Sequence, residues 1–213
     1  MEERDLLLKY NLQWFAKEGP GGEKTEPATA KKLKDAREEG KVAKSKELFV
    51  MEKEFTEVYC GGGKGKTTLA IGQCLRASAQ GKSVIIIQFL KGRERRELDF
   101  LEELDNLDIK IFRFEKHDEG YEELNEQEKA EEKTNILNAL NFARKVIATQ
   151  ECDFLLLDEI LALPDYGITT AEAIGDILKM KDESMHILLT GRTLPDSLRK
   201  YADSITTLTT EIV

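Results

Sequence analysis

The chain has 213 residues, 40% of them hydrophobic, and a formal net charge of −9, which suits one full core with an appended arm and argues against a wholly disordered chain. No apolar run approaches the ~20 residues a spanning helix needs: the best, "VIIIQFL" and "FLLLDEILAL", are short or broken by charge. Residues 1–50 hold 11 Lys/Arg against 10 Asp/Glu, and the remainder 21 against 31. Such an acidic remainder gains little from counterion release and speaks against a nucleic-acid partner.

The N-terminus, "MEERDLLLKYNLQWFA", lacks a basic n-region and a small-residue cleavage site, so no secretory signal is expected. Cys60, Cys74 and Cys152 show no metal-ligand spacing and read as reduced thiols, so a cytoplasmic protein is expected. Residues 17–46 combine a Gly-Pro-Gly-Gly cluster with dense mixed charge and almost no large apolar side chain, a composition that cannot offset its ordering entropy. Residues 1–50 are therefore expected to form an arm, and residues 51–213 the folded domain. Within the arm, "NLQWFA…GEKTEPATAKKLKDAREEGKVAKSKEL" resembles the cytoplasmic N-terminus of FlhB-type flagellar export proteins, a family in which membrane helices follow. None follows here.

The next elements alternate. "FTEVYC" reads as a strand and "KTTLAIGQCLRASAQG" as a helix stopped by Gly81. Strands are predicted at 83–89, 108–114, 153–158, 185–190 and 204–210, with helical patterns near 94–104, 125–148, 169–180 and 195–202. Near-continuous aliphatic strands alternating with helices predict a P-loop NTPase-like three-layer α/β/α fold, its mostly parallel sheet of about six strands covered on both faces. Ligands then sit at the carboxyl ends of the strands, near Cys60, Phe89, Phe114, Asp158 and Thr190.

Between the first strand and helix lies "GGGKGKTT", Gly61 to Thr68. Gly61, Gly62, Gly63 and Gly65 allow backbone N–H groups to converge on phosphate oxygens. Lys64 and Lys66 bring positive charge, Thr67 offers a hydroxyl to Mg²⁺, and the helix N-terminus adds its dipole. A Walker A pattern calls for glycine at position 60, and this chain has Cys60, so the loop counted from Gly61 is one residue short. Asp158 and Glu159, ending "FLLLDE", can hold Mg²⁺ or Mn²⁺ directly or through water; the alternative is a helix-capping aspartate beside a solvated glutamate. Arg192, leaving a strand in "LLTGR", can fork onto a phosphate or a substrate carboxylate, or form a surface ion pair.

These motifs, with "VIIIQFLKG" (84–92), "LLLDEI" (155–160) and "LRKYADSIT" (198–206), resemble those of the corrinoid adenosyltransferases over residues 54–210. The family's shortened loop matches Gly61 through Thr68 and accounts for Cys60. The resemblance implies that Co(I) of a reduced corrinoid attacks C5′ of ATP and displaces triphosphate. Gly61 to Thr68 and Arg192 then bind ATP, Thr67, Asp158 and Glu159 lie near the metal, and Lys66 and Glu159 carry the catalysis. It further implies a flavoprotein reductase as electron donor and a homodimer.

Phe112, Phe114 and Tyr121 are the aromatic candidates for the corrinoid, since no tryptophan lies beyond Trp14. Strand alternation puts Phe112 and Phe114 on one face, where core packing competes. His117 reads as exposed loop and His186 as strand packing. Two other readings stand beside the transferase: a P-loop ATPase or small-molecule kinase yielding ADP, and a nucleotide-binding module docked to the flagellar export apparatus.

Overall fold

A strand such as "VIIIQ" or "FLLLD" has no polar face to turn to water and is stable only when both faces are covered. The computed structural model describes residues 55–91, 98, 101, 107–182 and 185–212. They all belong to the second of the two units, Met1–Val50 and Met51–Val213, into which the chain divides. The expected arm, and most of the helical pattern near 94–104, lie outside the described residues.

In chain order the elements are β1 (Thr56–Cys60), α1 (Lys66–Ala79), β2 (Val84–Gln88), β3 (Ile109–Arg113), α2 (Glu126–Thr149), β4 (Phe154–Asp158), α3 (Ala171–Leu178), β5 (His186–Thr190) and β6 (Ser204–Thr207). The six strands form one sheet in the order β3-β2-β4-β5-β1-β6. Every pairing is parallel: Ile87 stands beside Leu157, and Leu157 beside Leu189. All carboxyl ends therefore share one rim of the sheet. No helix among the described residues is long and apolar enough to cross a membrane.

Strand alternation sorts the core into two layers. Ile85, Ile87, Leu155, Leu157, Ile187 and Leu189 point to the face covered by α2 and α3. Val84, Ile86, Phe154, Leu156 and Leu188 point to the face covered by α1. Each such aliphatic side chain, once buried, contributes roughly 1.5–3 kcal/mol, so the five-residue runs of β2, β4 and β5 fix both the sheet and its rim. Asn125 caps α2, accepting from the Gln127 and Glu128 N–H groups while the Glu128 side chain accepts from the Asn125 N–H, a reciprocal arrangement worth about 1 kcal/mol.

Two local expectations change. The segment 195–202 is a 3₁₀ turn, Asp196–Tyr201, with Leu198 its one fully buried residue and Tyr201 packed against the core beside it. His117 is half-buried, with its backbone N–H directed at Glu132 and its Nε2 enclosed. His186 is packed as expected, stacked on Phe154 with ring centroids 4.5 Å apart, at the amino end of β5 away from the rim.

Candidate nucleotide site at the strand carboxyl ends

The chain leaves β1 at Cys60 and must reverse before α1 begins. Gly61 turns at φ 105°, and a Cβ there would stand 2.3 Å from the Leu208 carbonyl oxygen, so no other residue fits. Gly65, at φ 95°, caps α1 without a side-chain hydrogen bond. The first-turn N–H groups of Lys66, Thr67 and Thr68 therefore have no intrahelical partner, an arrangement that attracts anions.

Not every loop amide faces the same way. The Gly61 N–H donates to the Arg192 carbonyl at 2.8 Å, and the Gly63 N–H to the Leu208 carbonyl at 2.9 Å. The Lys64 N–H donates to the Thr210 hydroxyl at 2.9 Å. The segment after β6 thus braces the outside of the loop, and the amides of Gly62, Gly65 and the first turn of α1 are those that can cradle phosphate. Lys66 is buried, its Nζ donating to the carbonyls of Gly61 and Gly63 at 2.8 Å each. A lysine held across its own loop keeps the loop open around one point charge.

Opposite this loop, β4 delivers Asp158 with no exposed surface. Its Oδ1 accepts from Thr190 at 2.7 Å and from Thr67 at 3.0 Å. Its Oδ2 accepts from Gln88 at 3.1 Å and from Lys91 at 2.6 Å. Lys91 also donates to the Thr67 hydroxyl at 2.9 Å. A buried carboxylate surrounded by donors stays in place only because all of them converge. Glu159 follows at φ 66°, its N–H held by the Thr190 hydroxyl at 2.8 Å. Burial, and next the neighbouring Asp158, raise the Glu159 carboxyl above the ordinary range, against the pull of Lys91, Lys66 and Arg192.

Beside these groups a cleft of about 220 Å³ is lined by Lys91, Tyr121, Glu122, Glu159, Tyr166 and Arg192 among others. Tyr121 and Tyr166 meet edge to face, with centroids 5.3 Å apart, and the Tyr166 hydroxyl donates to Glu122. Thr67, Asp158, Lys66 and Glu159 are thus brought together as the sequence suggested, with Arg192 on the same cleft. Phe114 packs with Phe112 against Phe142 of α2, at 5.6 and 4.6 Å, and is not among the residues lining the cleft. Lys91 and Tyr166 received no role from the sequence. The signal for Lys91 was its place just past β2 in "QFLKG", on the rim where ligands gather; Tyr166 sits within an irregular turn and carries no comparable mark.

A parallel sheet, a glycine loop opening a helix and a buried aspartate on the same rim define a P-loop nucleotide-binding α/β protein. The family model described as ATP:corrinoid adenosyltransferase BtuR/CobO/CobP matches residues 52–211, and the chain belongs to that family of enzymes. Similar proteins include a corrinoid adenosyltransferase of Escherichia coli, 26% identical, with 71% of this chain and 74% of that protein covered. One of Sinorhizobium is 31% identical over 73% and 72%. The corrinoid adenosyltransferase CobA of Salmonella typhimurium is 25% identical over 83% and 85%. Residues 22–53 match the FlhB HrpN YscU SpaS family, as the arm's motif suggested, and all of them lie outside the described residues.

Proposed function

We propose that Met51–Val213 transfers the 5′-deoxyadenosyl group of ATP to the Co(I) of a reduced corrinoid and releases inorganic triphosphate. The observation that carries this reading is the meeting of the P-loop lysine, Thr67, Asp158 and Glu159 on one rim beside a cleft, in a member of a corrinoid-adenosylating family. In the step, the cobalt electron pair forms the Co–C5′ bond, the C5′–O5′ bond breaks, and its electrons go to the leaving triphosphate oxygen. Co(I) is itself a strong nucleophile, so no activating base is required. The protein contributes position and charge stabilisation.

Lys66 exchanges its loop carbonyls for phosphate oxygens, and the amides of Gly62, Gly65 and the first turn of α1 receive the charge that develops on the triphosphate. Arg192, which lines the cleft and whose carbonyl accepts from the Gly61 N–H, meets the same charge. Among the described residues no group of three or more His, Cys, Asp or Glu side chains could hold a metal. The donors present are hard oxygens, the Thr67 hydroxyl and the Asp158 carboxylate, with Glu159 next in the chain. That set fits Mg²⁺ or Mn²⁺ completing its shell with phosphate and water. When bound, the ion neutralises phosphate charge. Tyr121 and Tyr166, which line the cleft, are better placed than Phe114 to meet the corrin ring. An electron donor such as a flavoprotein reductase, a homodimer and a cytoplasmic setting complete the reading on the family resemblance.

The test is phosphorus NMR of the full chain with ATP, Mg²⁺ and chemically reduced corrinoid. Triphosphate accumulating in step with adenosylated corrinoid is the expected result. ADP and phosphate formed without corrinoid replace the proposal with the ATPase alternative.

A further inference from the structure

Lys91 reaches the site from a turn that is anchored on both sides. Phe89, fully buried, donates its N–H to the Asp158 carbonyl at 3.0 Å, and the Leu90 carbonyl accepts from the Tyr121 N–H at 3.4 Å. Leu90 itself is left-handed at φ 63°, a conformation an L-residue holds only when its surroundings impose it. The turn therefore aims the residue that follows. The Lys91 side chain is 14% exposed and ends 2.6 Å from Asp158 Oδ2 and 2.9 Å from Thr67 Oγ1. An exposed lysine gains little from one carboxylate against its rotamer freedom; this one is aimed by its backbone and closes on two groups at once.

Those two groups are the oxygens that the proposed divalent cation would use. A small divalent ion binds oxygen at about 2.1 Å, and an ammonium bonded to the same two oxygens stands where the ion must go. Like charges at that separation also repel strongly in a buried site. The two cations are mutually exclusive on Asp158 and Thr67. Lys91 already lines the cleft with Glu159 and Arg192, so the displaced ammonium can turn into that cleft.

We propose that Lys91 is an exchangeable cation of this site: it neutralises Asp158 until a divalent ion takes the same oxygens, then turns into the cleft to bind the triphosphate. The inference rests on the nucleotide and metal reading above. It gives Lys91 two opposite effects. By competing for Asp158 it raises the metal concentration needed for binding, and by contacting phosphate it tightens the nucleotide once the metal is in place.

The test is calorimetric binding of a non-hydrolysable ATP analogue to the full chain across a Mg²⁺ series, for wild type, Lys91→Met and Lys91→Gln. Both variants are expected to lower the half-saturating Mg²⁺ by about fivefold or more, the low end of what coupled ligands of one protein show. They should also weaken analogue binding at saturating Mg²⁺. Mg²⁺ alone should raise the Tm of each variant more than that of wild type, because Asp158 then lacks its ammonium. Lys91→Gln keeps a donor for Asp158 and serves if Lys91→Met does not fold. Half-saturating Mg²⁺ unchanged or raised in a folded variant that still binds the analogue overturns the exchange role and leaves the nucleotide site standing. No analogue binding by wild type at any Mg²⁺ concentration overturns both.

Discussion

The Thr67 hydroxyl, on the first turn of α1, donates to Asp158 Oδ1 at 3.0 Å across 91 positions of the chain. This bond joins the phosphate loop to the acidic strand end, the pair of oxygens to which the proposed function assigns a divalent cation. Asp158→Asn keeps the volume and an acceptor but removes the charge. A charge-assisted contact is worth about 1.5–3 kcal/mol, so Mg²⁺-dependent ATP affinity is expected to fall by roughly ten- to hundredfold. Metal-free binding should change little. Calorimetry with and without Mg²⁺ separates the two, and equal losses in both would show that Asp158 serves the loop and not the ion.

Lys66 has a structural task as well as a chemical one, because its Nζ ties the carbonyls of Gly61 and Gly63 at 2.8 Å each. Lys66→Ala should reduce ATP affinity at least tenfold, by the same scale of charge-assisted contact. It should also lower the Tm by about 5 °C, since two hydrogen bonds at about 1 kcal/mol each correspond to a few degrees in a domain of this size. A variant with normal ATP affinity would remove the phosphate role from this lysine.

The sheet was legible because its strands announce themselves. β2, β4 and β5 are buried along their whole length, and a fully apolar run between turn signals has few other fates. The loop was legible for a similar reason, since glycines at fixed offsets before Gly-Lys-Thr answer to backbone geometry that sequence records directly. Lys91 was harder to see. Its role depends on Leu90 adopting a left-handed turn and on β2 lying beside β4, and neither strand order nor a single residue's φ is written in local composition. The bracing of the loop by Leu208 and Thr210 comes from pairings some 146 positions apart and was hidden for the same reason. Phe114 shows the reverse: alternation correctly grouped it with Phe112, and α2 supplies Phe142 as their common partner.

Glu159 sits in conflict with its surroundings. Burial, then Asp158, raise its carboxyl above the ordinary range, so the folded state binds this proton more tightly than the unfolded chain does. Its ionised form therefore subtracts stability at pH values above the unfolded carboxylate range, and this penalty fades as the pH falls. Glu159→Gln removes the penalty. It should be more stable than wild type at pH 8, with the difference shrinking on acidification, while turnover with pre-reduced corrinoid falls. Thermal melts over a pH series and single-turnover assays measure the two effects. A gain in stability without loss of turnover would make Glu159 a bystander beside Asp158.

Two buried groups away from this carboxylate pair titrate against each other. Glu115, on the loop after β3, is pushed up to about 7 by burial and, less strongly, by Glu132. It prefers the protonated form when folded, so it withdraws stability as the pH rises from the carboxylate range to about 7. His186 is pushed down to about 4 by burial and by the charges of Lys82, Lys181 and Arg76. The unfolded chain protonates this imidazole first, so His186 withdraws stability as the pH falls from about 6.5 to about 4. Each shift is worth roughly 3 kcal/mol at most, with opposite sign, so the contributions of Glu115 and His186 should nearly cancel between pH 5 and 6.5. His186→Phe keeps a ring stacked on Phe154 and removes one of the two opposing terms. Its stability should then rise as the pH falls from 7 to 5. Glu115→Gln should do the reverse, losing stability over the same interval. Denaturant melts of both variants at three pH values test this, and parallel curves for all three proteins would show that neither group titrates as its burial requires.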